Sequence, residues 1–146
     1  MDKTITKNEL ATYKLGEKLG QQCVGGEVFM LSGNLGAGKT KLLQGLAVGL
    51  GVKSKVNSPT FNILKLYKIP HQRSSNLKIK NFCHIDAYRL NSGIDLISLG
   101  VEEYFNSPET VTAIEWAEKV KEIWPKGARI IRIIAISEKI REVVIK

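Results

Sequence analysis

Residues 33–40 read GNLGAGKT, and this stretch decides the fold expected for the chain. It fits the phosphate-binding P-loop pattern, in which a glycine and four further residues precede Gly-Lys-Thr. Glycines let the backbone curl so that several N–H groups converge on one anion with no Cβ in the way. Lys39 supplies a charge for the outer phosphates, and the Thr40 hydroxyl suits the accompanying Mg²⁺. The stretch therefore predicts a nucleotide site.

The segments on either side of the P-loop have the patterns of a strand and a helix. Residues 28–31 are an apolar run, as in a buried parallel strand. Residues 41–50 carry apolar side chains at helical spacing, and Gly51 follows them. A helix that begins at the loop adds the attraction of its N-terminus for phosphate. This context argues against a chance match in an ordinary glycine turn.

Length and composition predict one soluble domain over residues 1–146, with 43% hydrophobic and 25% charged residues. The sequence shows neither an apolar stretch that would span a bilayer nor a secretion signal, so we expect no membrane partner. Cys23 and Cys83 lack metal-ligand spacing. They are expected to be reduced, buried thiols, which indicates a cytoplasmic protein.

The net charge of +8 is concentrated in residues 53–80, which hold no acidic residue. One interpretation is a surface for nucleic acid or an acidic protein. The other is a solvated face, since the aromatic and basic alternation of known RNA modules is missing. The basic residues of this region are Lys53, Lys55, Lys65, Lys68, Arg73, Lys78 and Lys80.

The remaining segments predict an α/β fold with a mostly parallel central sheet, flanking helices and antiparallel strands at the C-terminal end. Thr6 and Glu9 have the spacing of a capping box before the first helix. The expected strands lie near residues 4–5, 61–69, 82–85, 111–114, 128–136 and 142–145, in addition to 28–31. The expected helices lie at residues 8–21 and 41–50 and, as short ones, within 96–105 and 117–123. Residues 70–81 are expected to form an exposed hairpin tip or loop.

Two predicted strands end at a carboxylate, one at Asp86 and the other at Glu115. Because ligands of parallel sheets lie outside the carboxyl ends of the strands, both should reach the edge that carries the P-loop. Asp86 is the best candidate for the magnesium site, and its alternative is a capping or salt-bridged aspartate near Arg89. Glu115 could orient or deprotonate an attacking water.

Four further residues lie beside these candidates. Thr60 is either a nucleotide-sensing switch residue or an ordinary turn residue. Trp116 could stack on a purine base or fill the core. His84 and Tyr88 flank Asp86, and we expect them to pack or to form hydrogen bonds rather than to catalyse.

Four stretches occur in a characteristic order: GNLGAGKT at 33–40, SPTF at 58–61, HIDAYRL at 84–90 and IEWAEKV at 114–120. Taken together they resemble the TsaE family, the bacterial ATPase of tRNA threonylcarbamoyladenosine biosynthesis, from about Glu9 to the C-terminus. The P-loop alone identifies only a superfamily. The combination of SPT, HxDxYRL and EW makes the resemblance narrow.

The resemblance implies a small cytoplasmic P-loop ATPase that acts with a threonylcarbamoyl-transferase complex on the adenosine next to the anticodon of certain tRNAs. ATP and Mg²⁺ would be its cofactors, and slow hydrolysis would reset the partner complex. It implies catalytic roles for Lys39, Asp86 and Glu115, and metal contacts for Thr40, Asp86 and Glu115. The implied nucleotide contacts, with Trp116 near the base, are Asn34, Leu35, Gly36, Ala37, Gly38, Lys39, Thr40, Lys41, Thr60 and Trp116.

Asn34 and Lys41 stand where many relatives carry Asp and Thr, and residues 70–81 are longer and more basic than the family pattern. A small-molecule P-loop kinase is an alternative, but Arg73 fits a phosphate-closing lid poorly. A nucleotide switch that does not hydrolyse is a second alternative. The sequence shows no arginine finger near the P-loop, so we expect a partner to supply the activating group.

Overall fold

Seven strands form one sheet in the computed structural model, which describes residues 1–59, 62–73, 76 and 78–146, with the backbone alone at 72. The strands are β1 (Asp2–Thr6), β2 (Val28–Ser32), β3 (Leu64–Lys68), β4 (Asn81–Asp86), β5 (Thr110–Glu115), β6 (Arg129–Ala135) and β7 (Arg141–Ile145). Their order across the sheet is β1-β7-β6-β2-β5-β4-β3.

Helices cover both faces of this sheet. The α-helices are α1 (Glu9–Gln21), α2 (Lys39–Leu50), α3 (Ile94–Ser98) and α4 (Val101–Phe105), and 3-10 helices span His71–Arg73 and Ala117–Ile123. Among the described residues, none of these helices is both long enough and apolar enough to span a bilayer.

Four adjacent strands in the middle of the sheet, β6, β2, β5 and β4, are parallel to one another. Strand β5 is buried along its whole length, as expected for a central strand covered on both faces. The predicted antiparallel pair at the C-terminal end is confirmed as β6 and β7. Antiparallel pairing also occurs at both edges, between β1 and β7 and between β3 and β4. The α/β prediction is therefore confirmed, with a more mixed sheet than expected.

Two apolar cores separate the sheet from its helices. The first packs α1 and α2 against the sheet through side chains such as Phe29, Leu42 and Leu46. The second packs the other face against α3, α4 and the 3-10 helix Ala117–Ile123. Cys23 lies in the first core and Cys83 in the second, and burial raises the pKa of each thiol to about 12. The prediction that both thiols are buried is confirmed.

The start of α1 differs from the predicted capping box. Asn8 is the capping residue, since its Oδ1 accepts a hydrogen bond from the Ala11 N–H at 2.8 Å. The Thr6 hydroxyl instead lies 2.7 Å from the Thr12 hydroxyl in a buried contact. The capping-box prediction is wrong because the strand β1 extends through Thr6 and holds its backbone outside the helix turn.

Helices α1 and α2 touch through their backbones at glycines. A Cβ added to Gly16 would lie 2.0 Å from the Leu42 carbonyl oxygen, and one added to Gly45 would lie 1.9 Å from that of Tyr13. Both distances are far below van der Waals contact, so neither position has room for a side chain. This close approach brings α1 beside the P-loop, where a Cβ at Gly38 would contact the Thr12 methyl at 3.7 Å.

Candidate active site

The P-loop joins the end of β2 to the start of α2, as its sequence predicts. Gly38 precedes the first helical residue and adopts a left-handed conformation with φ 106°. This conformation costs a residue with a Cβ free energy, which explains a glycine at that position. The loop therefore presents backbone N–H groups at a helix N-terminus, the arrangement that favours bound phosphate.

Lys39 lies inside the loop, with only 5% of its surface exposed. Its Nζ donates to the Gly33 carbonyl at 2.5 Å and to the Asn34 carbonyl at 3.0 Å. The ammonium also lies 3.9 Å from the centre of the Trp116 ring, a cation–π contact. Burial lowers the pKa of Lys39 from its ordinary value, although nearby carboxylates, first among them Glu115, oppose the shift.

Glu115 is the centre of a hydrogen-bond network and is only 2% exposed. Thr40 Oγ1 donates to Glu115 Oε1 at 2.8 Å, and Ser58 Oγ donates to Oε2 at 3.3 Å. His84 Nε2 lies 2.8 Å from the same Oε2. His84, which we expected to pack or to form hydrogen bonds, thus contacts Glu115 on the neighbouring strand.

The charge of Glu115 depends on this network. Burial raises the pKa of Glu115, but the hydrogen bond and charge of His84, together with the Thr40 hydroxyl, outweigh burial and leave the pKa below its ordinary value. Glu115 is therefore ionised, and the imidazole Nε2–H of His84 is the donor in their contact. An ionised carboxylate with both oxygens engaged is held in one orientation.

Asp86 lies beside Glu115, because the two residues are register partners on the parallel strands β4 and β5. Its Oδ1 accepts a hydrogen bond from the Tyr88 N–H at 3.0 Å. Burial raises the pKa of Asp86 above its ordinary value. Within the described residues, Asp86 forms no salt bridge with Arg89, and its bond to the Tyr88 N–H closes a local turn that leads into no helix.

The predicted site residues meet around one cavity of about 370 Å³. Two of them are not among its lining residues: Asn34, whose carbonyl accepts a hydrogen bond from Lys39, and Thr60, which lies outside the described residues. Threonine and carboxylate oxygens are hard donors of the kind Mg²⁺ prefers. Among the described residues, this site included, no three His, Cys, Asp or Glu side chains form a metal cluster, but Mg²⁺ at a phosphate site needs only one or two carboxylates. The cavity is lined by residues 35–41, Glu9, Ser58, Asp86, Tyr88, Glu115 and Trp116.

Trp116 follows Glu115 directly and has a left-handed backbone with φ 57°. Such a conformation is uncommon without glycine and occurs at functional sites. The indole contacts the Lys39 ammonium and lies 4.9 Å, centre to centre, from the Tyr88 ring. It is half-buried and lies at the outer-phosphate end of the loop, because Lys39 is the residue that reaches the outer phosphates.

Arg141 contacts the P-loop, although its sequence position gives no sign of it. The Nε group donates to the Ala37 carbonyl at 2.9 Å across a separation of 104 residues. This arginine was missed because only the folded sheet brings β7 next to the loop. It also lines a second cavity of about 460 Å³, together with Asn8, Glu9, Leu10, Thr12, Gly36, Gly38, Lys41, Glu138 and Lys139.

Comparison with known proteins identifies one family. The description "Threonylcarbamoyl adenosine biosynthesis protein TsaE" matches residues 6–143. The tRNA threonylcarbamoyladenosine biosynthesis protein TsaE of Synechocystis sp. is 38% identical over 116 residues, which cover 77% of this chain and 68% of that protein. The protein of the same name from Treponema pallidum is 32% identical over 141 residues, 97% of each chain. The crystal structure of Bacillus subtilis YdiB superposes with a TM-score of 0.77 at 30% identity, over 97% of this chain and 82% of that one.

Proposed function

The chain belongs to the TsaE family of threonylcarbamoyl adenosine biosynthesis proteins, and from this premise we propose that it is the Mg²⁺-dependent ATPase subunit of that tRNA modification. One observation carries the proposal: Lys39, Thr40, Asp86 and Glu115 come from three separate segments and line one cavity. A phosphate loop beside two strand-end carboxylates is the arrangement that phosphoryl transfer requires.

The P-loop residues would bind the phosphates. Their backbone N–H groups and the Lys39 ammonium supply positive charge at the N-terminus of α2. Phosphate oxygens would compete for the Lys39 ammonium with its partners Gly33 and Asn34. Trp116, which covers the ammonium, would then lie against the outer phosphates.

Thr40, Asp86 and Glu115 would hold the magnesium ion. Thr40 donates its hydroxyl proton to Glu115, so its lone pairs are free to bind a cation. Glu115 rather than Asp86 makes this contact with Thr40 and is the nearer of the two carboxylates to the hydroxyl. When bound, Mg²⁺ would neutralise charge on the phosphate oxygens.

Glu115 would orient the attacking water and accept a hydrogen bond from it. Its lowered pKa makes it a weak proton acceptor, which favours orientation over deprotonation. The hydrogen bond from His84 to Oε2 holds the Glu115 carboxylate in place. The second cavity, between Lys41 and Asn8, offers room for the nucleoside, because Trp116 lies at the opposite, outer-phosphate end of the loop.

The transferase complex would be the partner, and contact of the 53–80 region with tRNA is part of the proposal. Two of the basic residues in that region already have local partners. Lys80 forms a salt bridge with Glu109 at 3.1 Å, and Lys65 lies 5.0 Å from the centre of the Tyr67 ring. The basic side chains of this region would carry any contact with the RNA backbone.

Mg-ATP turnover by the purified chain, alone and mixed with the threonylcarbamoyl-transferase complex, tests the proposal. We expect slow turnover alone, faster turnover in the mixture, and several rounds of tRNA modification. Turnover that the complex leaves unchanged would contradict the proposal and favour a kinase acting on a small molecule.

The Glu115→Gln variant separates an ATPase from a pure nucleotide switch. It keeps the size of the side chain and removes the charge that orients water, so we expect turnover to fall about 100-fold or more. The same variant should fail to support repeated rounds of tRNA modification. A variant that hydrolyses no ATP yet supports full modification would show that nucleotide binding alone is the function.

A further inference from the structure

One guanidinium joins the P-loop to the turn between β6 and β7. Arg141, the first residue of β7, donates from Nε to the Ala37 carbonyl at 2.9 Å and from Nη2 to the Gly36 carbonyl at 3.3 Å. Its Nη1 donates to the carbonyls of Ser137 at 2.7 Å, and of Glu138 and Ile140 at 3.1 Å each. All three guanidinium nitrogens are thus bound to backbone carbonyls of two loops.

These bonds fix the direction of a peptide group in the P-loop. The Ala37 carbonyl and the Gly38 N–H belong to one planar trans peptide, so they point in opposite directions. Because Arg141 holds the Ala37 carbonyl, the Gly38 N–H points away from the guanidinium at the start of α2. The neighbouring Ala37 N–H is already held within the loop by the Asn34 carbonyl at 3.0 Å.

We propose that Arg141 is the positioning residue of the P-loop, which aims the Gly38 N–H at the bound phosphate and couples phosphate affinity to the β6–β7 turn. The inference rests on the proposed function, since it presumes that the loop binds nucleotide. Its role depends on the fork shape of the guanidinium, which reaches two loops at once. A lysine would keep the charge but has no planar fork to hold both loops.

Arg141→Lys keeps the positive charge but removes the planar guanidinium, whereas Arg141→Gln removes both. We expect both to weaken Mg-ATP binding by about tenfold or more, because each loses the charged hydrogen bonds to Gly36 and Ala37. Backbone NMR order parameters of Ala37 and Gly38 should fall in both variants. Arg132→Gln is the matched control, since exposed Arg132 on β6 makes no hydrogen bond to the P-loop among the described residues.

Two outcomes would overturn the inference. The first is an Arg141→Lys variant that binds Mg-ATP as tightly as the natural protein, which would show that the charge alone matters and the guanidinium shape does not. The second is a folded variant in which the order parameters of Ala37 and Gly38 are unchanged. If Arg141→Gln does not fold, the lysine variant carries the test. Failure of the natural protein itself to bind Mg-ATP would contradict the proposed function instead.

Discussion

Lys39 both holds the shape of the P-loop and places a positive charge within it. Its ammonium is buried against two carbonyls and an indole, so the loop has a defined shape and a cation at its centre. Burial also makes the charge costly, which is why the pKa of Lys39 is lowered. Burial of the ammonium within the loop therefore accounts both for the affinity of the loop for phosphate and for the lowered pKa of Lys39.

The lowered pKa of Lys39 predicts a loss of nucleotide affinity at alkaline pH. The charged form of Lys39 binds phosphate, and a lowered pKa means that the proton is lost below the ordinary value of 10.5. We therefore expect the Kd for Mg-ATP to rise as the pH increases from 7 to 10. Calorimetric titration across this range measures it.

Lys39→Arg is the control for that titration, because arginine keeps its proton throughout this range. Whatever its Kd at pH 7, that Kd should change much less between pH 7 and 10 than the Kd of the natural protein. If the arginine variant loses affinity as steeply as the natural protein, a group other than Lys39 causes the pH dependence.

At the scale of helices and strands, the contact between α1 and α2 is so close that it leaves no room for side chains at four positions. Four glycines face the opposite helix, and each lacks room for a Cβ: Gly16, Gly20, Gly45 and Gly49. Helical glycine costs about 1 kcal/mol relative to alanine. The close approach offsets that cost through contacts between the two backbones.

Gly45→Ala tests this account. The gain in helix propensity is outweighed by the clash with the Tyr13 carbonyl, so we expect a net destabilisation of about 1–3 kcal/mol. Urea unfolding measures the change in the free energy of unfolding. Val48→Ala, at a half-exposed position of the same helix, should change it by less than about 1 kcal/mol. Equal effects of the two substitutions would contradict the account.

Local patterns allowed most elements of this fold to be predicted. The P-loop, its strand and helix, and the strand ends at Asp86 and Glu115 are each encoded within a few neighbouring residues. The Asn8 cap was missed because strand β1 decides where α1 begins. The contact of Arg141 with the P-loop depends on how the last strands join the sheet, and no local pattern carries that information.

At the scale of the whole molecule, the site draws on the loop after β2 and the ends of β4 and β5. A ligand that binds all three regions stabilises the folded protein by mass action. At a ligand concentration 100 times the Kd, the gain is about 2.7 kcal/mol. For a domain of this size, that corresponds to a rise in Tm of about 5–10 °C.

Thermal unfolding with and without Mg-ATP measures this rise. We expect Lys39→Ala to keep its fold and to lose the ligand-induced rise, since its hydrogen bonds to phosphate are gone. Removing magnesium with a chelator should reduce the rise in the natural protein. A full rise in Lys39→Ala would show that ATP binds away from the P-loop.

The contact between Arg141 and Ala37 also has a consequence for the order in which the protein is made. Strand β7 lies between β1 and β6 in the sheet but follows both in the chain, so β1 has no strand partner until β7 has been translated. The 104 residues that separate Ala37 from Arg141 take roughly 5–20 s to synthesise at typical rates. During that interval a nascent chain carries its glycine loop without the arginine that braces it. We therefore expect chains stalled on the ribosome before residue 141 to bind Mg-ATP about tenfold or more weakly than the released protein, in line with the expectation for the Arg141 variants.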